Sequence, residues 1–167
     1  MDFSLTGEQQ QLRDAARRFA RGEMRDVARE MERTSEPLSR HYLRRYAELG
    51  FLGVNLDPAL GGQGLSDLDA LIVLEEFVKI HPAIAFPIFE SSVGPIKAIE
   101  RFAPEVLRRR LIPQVCRGEL TVAVAMSEPD AGTALTDLTS RAIANESGFV
   151  LNGQKRWCSG EIGRAHV

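Results

Sequence analysis

Trp157 and Ser159 place an aromatic ring and a hydroxyl two positions apart near the end of the sequence. Residues 155–159 have the composition of a short strand, and residues i and i+2 of a strand point to the same side. An indole can stack on a flat heteroaromatic ligand while a hydroxyl forms a hydrogen bond at the ring edge. The pair therefore predicts one wall of a ligand site. The alternative is a core tryptophan beside a serine at a strand edge.

A second candidate is the loop 126–133, which follows a predicted strand at 120–126. The hydroxyls of Ser127 and Thr133 can converge on a ligand together with the backbone amides of the loop. Gly132 allows the backbone to approach such a ligand closely. The glycine-rich segment 61–64 is a weaker candidate, because it lacks the third glycine of the dinucleotide fingerprint and the Gly-Lys-Ser/Thr of a P-loop. We expect a simple turn there, with phosphate binding as the alternative.

Other kinds of chemistry find no support in the sequence. It contains no Gly-x-Ser-x-Gly and no HExxH, its three histidines are scattered, and Cys116 and Cys158 are far apart. We therefore predict no catalytic nucleophile, no metal site and no disulfide framework. The 21 basic and 23 acidic residues nearly cancel, to a net charge of −2. That balance gives no electrostatic reason to expect a nucleic-acid partner.

Composition and the first residues of the chain indicate where in the cell we expect the protein. The 167 residues are 44% apolar and 26% charged, as in ordinary globular domains. No apolar run approaches the roughly 18–20 residues that span a bilayer. The first residues carry neither a basic region nor an apolar stretch typical of a signal peptide. We expect a cytoplasmic protein without a membrane span.

Helices are predicted over the first 118 residues. Thr6 begins a capping box, Ser66 is a good N-cap, and Gly50 can end a helix in the left-handed conformation. The third helix is apolar on most sides, so we expect it to be central and buried. The predicted helices run from residue 7 to about 31, from 40 to 49, from 67 to 80, from 83 to 102, from 104 to 111 and from 113 to 118. We expect Pro87 and Pro95 to limit or kink the stretch 83–102.

Short strands are predicted after residue 119. They comprise 120–126, a hairpin of 142–144 and 149–151 around the turn 145–148, and 155–159. Helices followed by strands indicate separate domains, so we expect a helical domain at 1–118 and the start of a β domain at 119–160. Four short strands are too few for an independent β domain. We therefore expect a chain that is cut short, of mainly α fold class with a partial β domain.

Residues 161–167 differ from the rest of the chain. They can be back-translated as the start of a widely used sequencing-adapter oligonucleotide. We expect this tail to be read-through and not native protein. A genuine loop of ordinary sequence is the alternative, and genomic DNA that encodes the same residues would establish it.

Four motifs occur in a characteristic order. They are Asp2-Phe3, the segment 49–53 with 61–64, Ser127-Glu128-Pro129 with Ala131-Gly132-Thr133, and Asn152-Gly153-Gln154-Lys155 with Trp157 and Ser159. Together they resemble the amino-terminal part of the acyl-CoA dehydrogenase family, over about residues 1–160. The resemblance implies an amino-terminal helical domain, followed by the first strands of the middle β domain, and FAD as the cofactor.

The resemblance also implies roles for individual residues. Met126 and Ser127 match contacts to the pyrimidine edge of the flavin, where fixed dipoles stabilise the charge that grows on reduction. Trp157 matches the wall on the flavin face away from the substrate, and Ser159 the hydroxyl near flavin N5. Gly132 and Thr133 match the loop that contacts the flavin diphosphate or the substrate pantetheine. The matches at the base of the acyl pocket are Glu90, Val93 and Gly94.

The implied activity is the α,β-dehydrogenation of an acyl-CoA thioester, with the hydride passing to flavin N5. The implied partners are an acyl-CoA substrate, an electron acceptor such as a flavoprotein, and further copies in a homodimer or homotetramer. The family's catalytic base is a carboxylate in the carboxy-terminal domain, and no residue of this sequence matches it. We therefore expect this chain alone to be inactive.

Departures from the family pattern keep other functions open. The sequence reads Gly132-Thr133-Ala134 where the family usually has Gly-Ser-Asp, and Ser127 and Ser159 replace the commoner threonines. These changes suggest a divergent branch that acts on an unusual or bulky acyl group. One alternative is a flavin monooxygenase or oxidase of the same fold. Another is a non-catalytic helical interaction module.

Overall fold

The computed structural model describes residues 4–159. The chain divides into two compact units, with the boundary between Val122 and Ala123. The first unit is helical and the second contains a two-stranded antiparallel sheet, as the mainly α fold class with a partial β domain predicts. The predictions for Asp2-Phe3 and for the tail 161–167 lie outside the described residues.

Seven α-helices form the first unit. They are α1 (Gly7–Gly22), α2 (Met24–Thr34), α3 (Arg40–Glu48), α4 (Asp67–Val78), α5 (Pro82–Ser92), α6 (Ile96–Phe102) and α7 (Glu105–Cys116) among the described residues. A short 3-10 turn at Pro58–Leu60 lies between α3 and α4. No helix within residues 4–159 is both long enough and apolar enough to cross a lipid bilayer.

Capping boxes begin α1 and α4; the sequence predicts the box at Thr6 and an N-cap at Ser66. The Thr6 hydroxyl accepts a hydrogen bond from the Gln9 amide, and the Ser66 hydroxyl accepts one from the Asp69 amide. Gln9 Nε2 also donates to Asp69 Oδ1 at 3.1 Å, so the two helix starts are linked. Further along, Arg17 of α1 pairs with Glu76 of α4. The residue that lies later in α1 contacts the residue that lies later in α4, so the two helices run in the same direction.

Four aromatic rings form the centre of the helical unit. The rings of Phe19, Tyr46, Phe51 and Phe77 have centroid separations between 5.1 and 6.0 Å. Three of these five ring contacts are edge-to-face and two are tilted, and edge-to-face packing adds to the gain from burial. The Tyr46 hydroxyl donates to the Ile84 carbonyl oxygen at 3.0 Å, and burial raises its pKa. A second cluster contains Leu56, Ile96, Ile112, Val115 and Cys116.

Three helix predictions need correction. The first predicted helix is interrupted at Glu23, next to Gly22, a poor helix former. The predicted pair 104–111 and 113–118 is one helix, α7, with Pro113 inside it. Ile112, before the proline, and Val115, after it, are both buried in the second cluster, so packing stabilises the continuous helix. The third helix is not buried all round, because Leu68, Leu71 and Val78 of α4 are exposed.

The glycine-rich segment 61–64 is a turn, as expected. Its four amides donate over 2.9–3.1 Å to the carbonyl oxygens of Pro58, Asp57, Gly53 and Leu56. Backbone amides already bonded in this way are not available to a phosphate. A Cβ on Gly62 would lie 2.2 Å from the Leu56 carbonyl oxygen. The glycine is therefore needed for close packing of backbone on backbone.

The second unit contains the predicted hairpin. Strands β1 (Arg141–Asn145) and β2 (Gly148–Asn152) pair antiparallel, with Ile143 opposite Val150. The predicted strands at 120–126 and 155–159 are wrong, because β1 and β2 are the only strands among the described residues. Trp157 has φ +61°, in the left-handed region that a β-strand does not use.

Candidate functional site

The loop after Met126 is held as a tight turn. The Glu128 amide donates to the Ala131 carbonyl oxygen at 2.8 Å, and the Ala131 amide donates back to the Glu128 carbonyl oxygen at 3.3 Å. Pro129 lies inside this turn, where its fixed φ favours the geometry. The reciprocal bonds fix the path of the chain from Ser127 to Gly132.

The Glu128 carboxylate is buried in the second unit and accepts four hydrogen bonds. Oε2 accepts from the Thr139 amide at 2.7 Å and from the Thr139 hydroxyl at 2.9 Å. Oε1 accepts from the Ser140 amide at 2.9 Å and from Lys155 Nζ at 2.8 Å. Led by the hydrogen bond from Lys155, these contacts hold the pKa of the Glu128 carboxyl well below its ordinary range.

Lys155 and its neighbour join the two predicted site segments. Lys155 Nζ donates to the Met126 carbonyl oxygen at 3.1 Å as well as to Glu128. The Arg156 amide donates to the Ser127 carbonyl oxygen at 2.8 Å. Residues 126–128 therefore run beside residues 155–156. This brings Met126 and Ser127 together with the segment that carries Trp157 and Ser159.

Trp157 lies on the surface of this unit. Trp157 is 86% exposed, so it is not part of an apolar core among the described residues. A positive φ is rare for a bulky residue and is typical of functional or strained positions. The reasoning that placed Trp157 and Ser159 on one side of a strand is not supported, because no strand forms there.

The remaining loop residues are also accessible. Met126 is 42% exposed, and Gly132, Thr133 and Ser159 are exposed. A Cβ on Gly132 would meet no atom within 4 Å, so internal packing does not require a glycine at this position. Within the described residues, the indole of Trp157 and the backbone at Gly132 are both accessible to a ligand.

The other predicted site residues lie in the helical unit, at the end of α5. Glu90 is 4% exposed and lines a cavity of about 10 Å³. Val93 and Gly94 follow the last turn and are half-buried. A Cβ on Gly94 would lie 2.7 Å from the Phe89 ring, so the glycine lets this ring pack against the backbone.

Sequence reasoning did not assign roles to Glu128 and Lys155 individually. Both lie inside the motifs that were noted. The negative charge of Glu128 in one motif and the positive charge of Lys155 in the other are the signal that could have linked them. Sequence reasoning also predicted no metal site. Within residues 4–159, no group of three or more His, Cys, Asp or Glu side chains could hold a metal ion.

Comparison with known proteins identifies similar sequences. The profile of the acyl-CoA dehydrogenase N-terminal domain matches residues 6–119. The chain is 34% identical to 3-sulfinopropanoyl-CoA desulfinase of Variovorax paradoxus, over 99% of this chain and 41% of that protein. It is 30% identical to benzylmalonyl-CoA dehydrogenase of Aromatoleum aromaticum, over 94% of this chain and 41% of that protein. The chain thus spans about two-fifths of the length of these relatives.

A solved structure shows the same fold. The structure of PigA with FAD and proline superposes with a TM-score of 0.83 at 26% identity. The match covers 95% of this chain and 42% of that one.

Proposed function

Because this chain belongs to the acyl-CoA dehydrogenase family, we propose that the protein performs FAD-dependent α,β-dehydrogenation of an acyl-CoA thioester. The observation that carries the proposal is the exposed indole of Trp157 on a segment anchored to the 126–128 loop. FAD, when bound, supplies the acceptor for the hydride that leaves Cβ. We assign the removal of the Cα proton to no residue of this chain.

Six residues are proposed to hold the flavin. Trp157 stacks on the ring system, and Ser159 offers a hydroxyl near N5. Met126 and Ser127 present backbone and side-chain dipoles to the pyrimidine edge, which stabilise negative charge without reorganisation. Gly132 and Thr133 accommodate the diphosphate, and the open space at Gly132 supports this assignment.

Thr133 is proposed to contact the pantetheine of the acyl thioester. Glu90, Val93 and Gly94 would shape the acyl pocket and so influence the preferred chain length. The close packing of Gly94 on Phe89 fixes the path of the chain after α5, because a larger residue would displace the ring. We further propose an electron-accepting flavoprotein as partner, a homodimer or homotetramer, and a cytoplasmic location.

A flavin oxidase or monooxygenase of the same fold is the second candidate. It is supported by the similarity to PigA, whose structure contains FAD and proline. The two reactions use the same flavin site but differ in what accepts the electrons. Enoyl-CoA formation with an artificial electron acceptor supports the dehydrogenase, and substrate-dependent consumption of oxygen supports the oxidase.

The test is made on the longest polypeptide that the source DNA encodes in this reading frame. We expect the purified protein to be yellow and to form enoyl-CoA from a panel of acyl-CoAs when an artificial acceptor is present. A colourless protein that does not take up added FAD would contradict the flavin site. It would favour the non-catalytic helical module.

Trp157→Ala tests the central contact of the flavin site. We expect the dissociation constant of FAD to rise about tenfold, because stacking on an aromatic side chain contributes about 1–3 kcal/mol. Trp157→Phe should retain most of the affinity. Phe149→Ala is the matched control, since Phe149 is 72% exposed on β2 of the same unit. Equal affinity of wild type and Trp157→Ala, measured by flavin fluorescence titration, would remove Trp157 from the site.

A further inference from the structure

The second unit has a charged residue where a domain usually has an apolar core. Among residues 123–159, only Glu128 and Ala131 are buried. The Glu128 side chain is 3% exposed, and its partner Lys155 is 28% exposed. A buried carboxylate is costly unless donors surround it. The structure of this unit therefore depends on the hydrogen-bond donors that surround the Glu128 carboxylate.

These donors come from separate parts of the unit. Thr139 and Ser140 approach from the segment before β1, and Lys155 approaches from the segment after β2. The two oxygens of a carboxylate offer about four acceptor sites, and here four donors engage them. The acceptor positions of the Glu128 carboxylate are thus all occupied, and it has no free oxygen with which to act as a base.

The same contacts fix the position of the backbone that leads to Trp157. Lys155 reaches both Glu128 and the Met126 carbonyl oxygen. Arg156 is bonded through its amide to Ser127. The indole follows directly, at a residue whose φ is +61°. The backbone that leads to Trp157 is therefore held by three hydrogen bonds to the 126–128 loop, and the Glu128–Lys155 pair provides one of them.

We propose that Glu128, through its pair with Lys155, is a positioning residue that holds the two flavin-contacting segments, 126–127 and 157–159, in register. This inference rests on the proposed function for the flavin itself. Loss of Lys155 would leave only the Arg156 amide to hold the segments together, whereas loss of the Glu128 carboxylate would also leave the bond from Lys155 to the Met126 carbonyl oxygen. Glu128→Gln turns one acceptor oxygen into a donor that faces other donors, with little change in size.

The first measurement needs no flavin, because Trp157 is the only tryptophan of the 167-residue chain. The fluorescence anisotropy of Trp157 reports the mobility of its segment. We expect Glu128→Gln and Lys155→Met to lower the anisotropy. Asn145→Ala is the control, since Asn145 accepts two hydrogen bonds from Ser147 in the hairpin turn and does not touch the pair. Lys155→Met leaves the Thr139 and Ser140 donors on Glu128, so it tests the pair if Glu128→Gln fails to fold.

The second measurement uses the longest polypeptide encoded in this frame, loaded with saturating FAD. We expect the visible circular dichroism of the flavin to change in both variants, and the dissociation constant of FAD to rise about tenfold. Asn145→Ala should leave the flavin spectrum as in wild type, since this substitution removes hydrogen bonds of the hairpin turn and leaves the contacts of Lys155 intact. Wild-type anisotropy and flavin spectrum in both variants, or equal changes in Asn145→Ala, would overturn the inference. A wild-type protein that binds no FAD would count against the proposed function, while the anisotropy would still decide whether the pair orders the segment.

Discussion

Gly62→Ala is expected to lower the free energy of unfolding by about 3 kcal/mol, the upper range for overpacking a tight interior site. The new Cβ would lie 2.2 Å from the carbonyl oxygen and 2.4 Å from the carbonyl carbon of Leu56. Both atoms belong to the backbone, so no rotation of a side chain can relieve the clash. The backbone must move, and Leu56 belongs to the second apolar cluster.

Urea denaturation of the 167-residue chain, followed by circular dichroism, measures this effect. Gly22→Ala is the matched control, because a Cβ on Gly22 at the end of α1 meets no atom within 4 Å. This control should leave stability unchanged or raise it by about 0.5–1 kcal/mol, since alanine is the better helix former. A change below about 0.5 kcal/mol in Gly62→Ala would show that the 61–64 segment yields easily. The phosphate-binding alternative would then need to be considered again.

Local features were the most predictable from sequence. The capping box at Thr6, the N-cap at Ser66 and the hairpin turn at 145–148 depend on residues within three positions of one another. Hydrogen bonds over such distances follow from residue type alone. The same local logic failed at Pro113, where burial of Ile112 and Val115 in the second cluster outweighs the helix-breaking tendency of proline.

Contacts between distant residues were not predictable in this way. Arg17 and Glu76 are 59 positions apart, and Glu128 and Lys155 are 27 apart. Each residue alone reads as an ordinary surface charge, and only the fold shows which charges are buried together. The candidate flavin residues came from the order of the motifs, whereas the pair that holds the motifs together came from the structure. The left-handed φ of Trp157 could not be predicted either, because bulky residues disfavour it.

The Arg17–Glu76 pair is the buried charge contact between α1 and α4. Arg17 Nε donates to Glu76 Oε2 at 3.0 Å, and a second guanidinium nitrogen donates to Oε1 at 3.1 Å. Lys79 Nζ adds a third donor at 2.8 Å. The Glu76 side chain is only 1% exposed, while that of Arg17 is 37% exposed. Removal of Arg17 would leave Glu76 buried with Lys79 as its one charged partner.

Glu76→Ala is expected to lower the free energy of unfolding by about 3 kcal/mol, the low end for breaking a buried ion pair, because Arg17 can turn toward solvent. Glu75→Ala is the matched control. Glu75 pairs with the same Lys79 at 2.9 Å, but its side chain is 65% exposed. Exposed pairs contribute about 0–1 kcal/mol. Equal losses in the two variants would show that burial of Glu76 contributes nothing to the stability of the helical unit.

The pair also predicts an acid limit to stability. The hydrogen bond from Arg17, helped by Lys79, lowers the pKa of the Glu76 carboxyl from 4.5 to about 2 in the folded state. A group whose pKa is lower in the folded state stabilises the fold above its unfolded pKa, and this contribution is lost as protons bind. The stabilisation by Glu76 should therefore be complete above pH 4.5 and decline as the pH falls toward 2. Glu76→Gln cannot titrate, so the difference in unfolding free energy between wild type and this variant should shrink over the same range. A difference that stays constant from neutral pH to pH 2 would show that the folded carboxyl does not titrate with the lowered pKa, and that the loss in Glu76→Ala comes from packing alone.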